Sequence, residues 1–220
     1  MKKRSDVFAR CEGSLLSYGL SPEEALRCLD SWTALGVKRV YVPTGLLAEI
    51  NIDEHPETTF IGVAAFPWGT GTLSSRRMEL LECVRLGAAA AAVVLPRSST
   101  KNLSASELEE EIAIMISTVP EINVHFFFDA ESLTADDLIR FARVMSGVKP
   151  TAVVALSRDP ERLCEPETVR AIRAKLHRMI RLVAGGDCTS LEEGRMLLEA
   201  GAASYLAAGP EKFLNREASR

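Results

Sequence analysis

Clustered positive charge, paired cysteines and long apolar runs are all missing from this 220-residue chain, and each absence excludes something. The 26 basic residues are scattered among 30 acidic ones, for a net charge of −4, so the concentrated basic face of a nucleic-acid binder is not there. Five cysteines, Cys11, Cys28, Cys83, Cys164 and Cys188, form no C-x-x-C pair and no metal-ligand spacing. Their odd number fits reduced thiols in a cytoplasmic protein better than a secreted disulfide framework. No apolar run is long enough to span a bilayer, the stretch 87–96 being too short. The basic Met1-Lys2-Lys3-Arg4 leads into Ser5-Asp6 without the apolar core of a signal peptide. No cofactor is expected. The partner is expected to be a small molecule or another protein, with self-association into a homo-oligomer left open.

What is present is alternation. Runs at 39–42, 59–65, 90–95, 124–128, 151–156, 180–184 and 204–207 are apolar throughout and do not alternate in polarity, as strands of a buried parallel sheet read. An eighth candidate at 9–16 is interrupted by Arg10, Glu12 and Gly13. Between these runs, helix entries announce themselves by a capping residue with an acid three positions on: Ser21-Pro22-Glu23-Glu24, Ser106 with Glu109, Thr134 with Asp137, and Ser190 with Glu193. Asp159-Pro160-Glu161 repeats the device with an aspartate cap before a first-turn proline. The pairs Gly36-Val37, Gly87-Ala88 and Gly201-Ala202 each follow a helical pattern and precede a strand, as turns from helix to strand require. Unbroken β–α alternation with a count near eight predicts an α/β protein closed into a (β/α)₈ TIM barrel, one domain over 1–220.

Two strand-then-glycine segments end the pattern, Arg181-Leu182-Val183-Ala184-Gly185-Gly186 and Ser204-Tyr205-Leu206-Ala207-Ala208-Gly209. Loops after the last two strands are where such barrels usually hold a phosphate. Backbone amides at Gly185, Gly186, Ala208 and Gly209 are therefore candidate anion donors, and a short helix expected near Pro210 would aim its positive end at the same place.

The order Glu12-Gly13-Ser14-Leu15-Leu16, Ser21-Pro22-Glu23-Glu24, Phe66-Pro67-Trp68-Gly69, Val183-Ala184-Gly185-Gly186 and Glu199-Ala200-Gly201-Ala202 resembles the 2-deoxyribose-5-phosphate aldolase family over nearly the whole chain. The resemblance implies a class I aldolase barrel, in which a lysine on strand six forms a Schiff base while a second lysine on strand seven and an aspartate on strand four assist. All three positions are apolar in this chain. Val154 stands where the imine-forming lysine is expected, Leu182 where the second lysine is, and Ala92 where the aspartate is. No lysine occurs between Lys149 and Lys175 to replace the first by a shift of register. The hydroxyls that the family's last strand brings to its phosphate are likewise replaced, by Ala207 and Ala208.

A different polar set is expected at the C-terminal rim: Glu12 near the end of strand one, Arg97 after strand four, Asp129 ending strand five, Ser157-Arg158-Asp159 after strand six, and Asp187-Cys188-Thr189 after the glycine pair. Arg97 and Arg158 are candidate partners for a phosphate or carboxylate, although solvated loop arginines are commoner. Asp129 and Glu12 are candidate general bases or Mg²⁺ ligands, set against the routine role of rim carboxylates in capping helices and pairing arginines. Asp187 is placed to pair Arg158 and compete with an anion. Lys101, in the loop after strand four, is with Lys212 a lysine near the mouth and a candidate replacement amine. Cys188 lies beside the anion site, as a lowered-pKa thiol or simply a small buried residue. Tyr41 and Trp68 are candidate pocket walls. No histidine is expected on the rim, His125 lying near the start of its strand, so no zinc or other metal site is assigned. Two readings follow. One is an aldolase-like barrel without imine chemistry, a pseudoenzyme that binds a small phosphorylated or carboxylated ligand or regulates. The other is a lyase or isomerase acting on such a molecule through rim carboxylates and arginines.

Overall fold

The computed structural model describes residues 6–17, 20–157 and 162–210. Eight parallel strands, β1 (Cys11–Ser14), β2 (Arg39–Pro43), β3 (Thr59–Ala64), β4 (Ala90–Val94), β5 (Asn123–Asp129), β6 (Ala152–Leu156), β7 (Arg181–Ala184) and β8 (Ser204–Ala207), pair in chain order. The barrel closes where β8 returns to β1, with Glu12 opposite Leu206. Helices Pro22–Ala34, Leu73–Arg85, Ala105–Thr118, Ala135–Val148, Pro166–Arg173 and Leu191–Glu199 return the chain between strands. This is the (β/α)₈ barrel read from the sequence. β2 to β8 each fall within one residue of their expected bounds, and β1 is a shorter strand inside its span.

Local chemistry sets the helix starts. Ser21 Oγ accepts from the Glu24 amide at 3.2 Å while the Glu24 carboxylate accepts from the Ser21 amide at 2.9 Å, and Thr134 with Asp137 closes the same reciprocal box. Ser190 Oγ caps the Glu193 amide. The entry expected at Ser106 lies two residues earlier, at Ser104 with Glu107. Both serines have an acid three residues on, and starting at Ser104 gives the Ala105–Thr118 helix its inward stripe of Leu108, Ile112 and Met115. The Asp159-Pro160-Glu161 cap lies outside the described residues, as does the helix expected beyond Pro210. Gly36, Gly87 and Gly201 take φ values of 82°, 82° and 108°, the left-handed turn that stops a helix before a strand.

Strand residues alternate between two cores. Phe126, Phe128, Val153, Ala155 and Leu182 pack outward under the helices, Phe128 stacking on Phe141 at 4.1 Å between ring centroids. Tyr41, Ile61, Val63, Ala92, Phe127, Val154, Leu156, Val183 and Leu206 point inward. The alanines of β4 contribute little volume, and larger neighbours supply it: Phe127 of β5 and Tyr41 of β2 meet edge to face at 5.5 Å in the same cluster. Burying each such aromatic contributes roughly 2–3 kcal/mol, so the middle of the barrel is a packed core.

Candidate functional site at the C-terminal mouth

The loops after β3, β4, β5 and β6 enclose a cavity of about 190 Å³ at the C-terminal end, the end where barrels of this class place their chemistry. Pro67 and Trp68 form one wall, Val94, Leu95 and Leu156 the floor, and Arg97, Asp129 and Ser157 bring the polar groups. Each is held by backbone constraints. The Ala65 amide donates to Glu79 Oε2 at 2.7 Å, and Gly69 closes the turn by donating to the Ala65 carbonyl at 2.8 Å. A Cβ on Gly69 would meet the Val94 carbonyl oxygen at 2.4 Å, so only glycine lets the Trp68 loop lie this close to β4. Trp68 is 54% exposed, an aromatic face left open beside a cavity.

Arg97 begins the Arg97–Asn102 helix, is exposed, and makes no ion pair among the described residues. Asp129 ends β5, half-buried, with Oδ1 accepting from the Ser132 amide at 3.0 Å. Ser157 is buried just beyond β6. A guanidinium without a carboxylate partner among the described residues, a fixed carboxylate and a hydroxyl thus share one small cavity with an apolar floor. That set can hold a ligand carrying one oxyanion and one hydroxyl or amine.

The glycine loops are engaged otherwise. The Gly185 amide donates to the Ala155 carbonyl at 2.8 Å, inside the sheet. Gly186, at φ 99°, lies under the segment that connects β6 to the Pro166–Arg173 helix, and a Cβ there would meet the Arg162 carbonyl oxygen at 2.1 Å. The Ala208 amide donates to Asp187 Oδ1 at 3.0 Å, so a carboxylate of the protein itself occupies the place an anion would take. Asp187 is therefore the competitor expected from the sequence, acting on Ala208. Arg158 lies outside the described residues, as does Lys212.

Other expected residues are scattered. Ala92 and Val154 face the barrel interior. Leu182 does not: it pairs with Val153 in the outer core, and the inward residue at that level of β7 is Val183, again apolar. Lys101 is carried on the Arg97–Asn102 helix and does not line the cavity. Cys188 is fully buried, its thiol donating to the Ser190 carbonyl at 3.2 Å, and burial pushes its pKa up to about 12, the reverse of an activated nucleophile. Tyr41 is fully buried inside the barrel and does not line the mouth cavity, whereas Trp68 does.

Glu12 departs furthest from its expected place. It is the second residue of β1, only 1% exposed, and faces the N-terminal end, where Arg39 and Arg181, the first residues of β2 and β7, both donate to its Oε1. The sequence signal for this was available. Arg39 and Arg181 open otherwise apolar strands at inward positions, and a buried carboxylate is what such arginines require. Arg181 also donates to Ser204 Oγ at 3.0 Å, and the Tyr41 hydroxyl lies 3.1 Å from His125 Nδ1 beside them. Burial, then the Arg181 and Arg39 charges, lower the His125 pKa to about 3, so the imidazole is neutral. Burial and the neighbouring Glu12 charge raise that of Tyr41.

By sequence, no family model and no curated protein matches the chain. By structure it is similar to QR15, an aldolase, with a TM-score of 0.86 at 20% identity over 98% of this chain and 97% of that one. It is equally similar to the deoxyribose phosphate aldolase of Aeropyrum pernix, a tetramer, with a TM-score of 0.86 at 17% identity over 100% and 94%. Dihydrodipicolinate synthase from Oceanobacillus iheyensis follows at 0.67, with 10% identity over 97% and 72%. At these identities the likeness is one of fold, the closed (β/α)₈ barrel.

Proposed function

We propose that this protein is an aldolase-like barrel without Schiff-base chemistry, which binds a small carboxylated or phosphorylated molecule at its mouth through Arg97. One observation carries the first half of the reading. The inward positions that an imine mechanism would use are Ala92, Val154 and Val183, and the described lysines, Lys38, Lys101, Lys149 and Lys175, all lie off the strands. An amine nucleophile needs a desolvated pocket that lowers its pKa, and none of these four is placed in one. The second half rests on the cavity, where Arg97 is a cation without an ion-pair partner among the described residues. Because Asp187 holds the Ala208 amide, the anion contact moves from the glycine loops to Arg97.

Borohydride reduction in the presence of a short aldehyde is expected to leave the mass of the protein unchanged, and an adduct mapped to any lysine would end this reading. A thermal-shift panel of sugar phosphates and small carboxylates is expected to give a selective hit, since a ligand at a hundred times its Kd stabilises by roughly 2.7 kcal/mol. Arg97→Ala should erase the hit while leaving the unliganded melting temperature in place. The meeting of Asp129 with Arg97 in one cavity also favours a second reading, a lyase or isomerase with Asp129 as general base. Turnover of a panel hit that disappears in Asp129→Asn would establish it.

A further inference from the structure

A second cavity, of about 400 Å³, opens at the opposite, N-terminal end of the barrel. Its lining includes Arg10, Glu12, Gly36, Lys38, Arg39 and Thr59. Three cations thus face one carboxylate, and that carboxylate is already shared between Arg39 and Arg181. The cations are poorly matched by the described residues. Arg10 has Asp6 at 3.9 Å, both largely exposed. Arg39 gives Glu12 a single contact at 3.4 Å and keeps half its side chain in solvent. Lys38 makes no ion pair among the described residues.

The carboxylate is equally incomplete. Glu12 is 1% exposed, both arginines converge on its Oε1, and its buried Oε2 has no hydrogen-bond partner among the described residues. A buried carboxylate oxygen without a donor is costly, and a donor brought within its reach would be favoured. The two deficits are complementary. Arg10 and Arg39 have only long, solvent-exposed ion pairs, Lys38 has none among the described residues, and the carboxylate beneath them keeps a buried oxygen without a donor among those residues.

The geometry points to a ligand site at the N-terminal end of the barrel for a small hydroxylated oxyanion, a polyol phosphate or a hydroxy acid. Its anionic group would be held by Arg10, Lys38 and Arg39, and a hydroxyl would donate to Glu12 Oε2. The volume admits a molecule of that size and is far too small for a macromolecule. Helices of a parallel barrel turn their negative C-terminal ends toward this face, so the field of the backbone alone would repel an anion. Binding here depends on the side-chain cations, which makes it sensitive to one reversed charge.

Isothermal titration of the full chain with glycerol 3-phosphate, glycerate and inorganic phosphate tests this directly. The hydroxylated probes are expected to bind about tenfold more tightly than inorganic phosphate, the worth of one hydrogen bond to a charged acceptor. Whichever hydroxylated probe binds better identifies the anion class. Lys38→Glu, at an exposed position that carries no packing, should weaken both by about tenfold or more. Arg97→Ala, at the other end of the barrel, should leave them within about twofold. Retained affinity in Lys38→Glu, loss in Arg97→Ala, or no heat with any probe would overturn the site. A loss in Arg97→Ala alone would assign the signal to the mouth and leave the function proposed there intact.

Discussion

The two ends of this barrel have exchanged the characters expected of them. At the C-terminal mouth the inward side chains are Val94, Leu156 and Phe66, and the polar groups belong to the surrounding loops. At the N-terminal end, where a barrel ordinarily needs only packing, the inward side chains include Glu12, Arg39, Arg181 and His125. Both ends rest on the same apolar middle of Phe127, Val154 and Val183. The difference is therefore a choice made residue by residue at inward strand positions and not a change of fold. A barrel can lose the polar interior of one end and keep a charged interior at the other with its eight-strand closure unchanged.

The largest expected effect tests whether the buried part of the N-terminal network, at His125, is shielded from water. His125 takes up a proton near pH 6.5 in an unfolded chain but only near pH 3 in the folded protein. Between those values the unfolded chain binds the extra proton, so stability is complete above about pH 6.5 and falls as the pH drops toward 3. The loss attributable to this residue is on the order of 4–5 kcal/mol at pH 3. Urea unfolding at stepped pH should show that slope in the native protein and a shallower one in His125→Gln. Parallel profiles would mean that water reaches the ring and that the contrast between the ends is weaker than drawn. Next in size is Glu12→Ala, which strands Arg39 and Arg181 and should cost about 3 kcal/mol by the same unfolding measurement. A cost below about 1 kcal/mol would place the network in solvent.

How far the sequence carried these conclusions differs between fold and site. Strands such as β6, apolar at every position, and caps such as Ser21 with Glu24 are written in consecutive residues, so the barrel was legible. The absence of an inward lysine was legible for the same reason, since it needs only the strand to be found. Leu182 shows the limit: a one-residue uncertainty in register on β7 decides whether a side chain enters the barrel or the outer core. The Glu12 network was not legible as a unit because its members come from β1, β2, β5, β7 and β8, far apart in the chain and joined only by closure. The engagement of the glycine loops by other groups of the protein was half legible. Asp187 is adjacent to Gly186 in sequence, but the placement of the Arg162 carbonyl over Gly186 is a tertiary fact.

The smallest expected effect on stability sharpens the comparison most, because it asks whether the mouth can be given an anion cradle. Asp187 Oδ1 accepts from the Ala208 amide, and Asp187→Ala removes one charge-assisted hydrogen bond at a half-buried position, about 1 kcal/mol. The same change exposes a backbone donor at the end of β8 and removes a negative charge from the path of an incoming anion. Built on Arg97→Ala and Lys38→Glu, which silence the two ligand sites proposed above, the variant should gain a phosphate-dependent rise in melting temperature that its parent lacks. The gain should be modest, with Kd in the millimolar range or about −4 kcal/mol, because Gly185 still spends its amide on Ala155 and Gly186 remains under Arg162. No gain at all would mean that the covering chain, and not Asp187, closes the cradle. The mouth would then be shut by its packing, and the contrast with the charged N-terminal end would lie in the backbone as well as in the side chains.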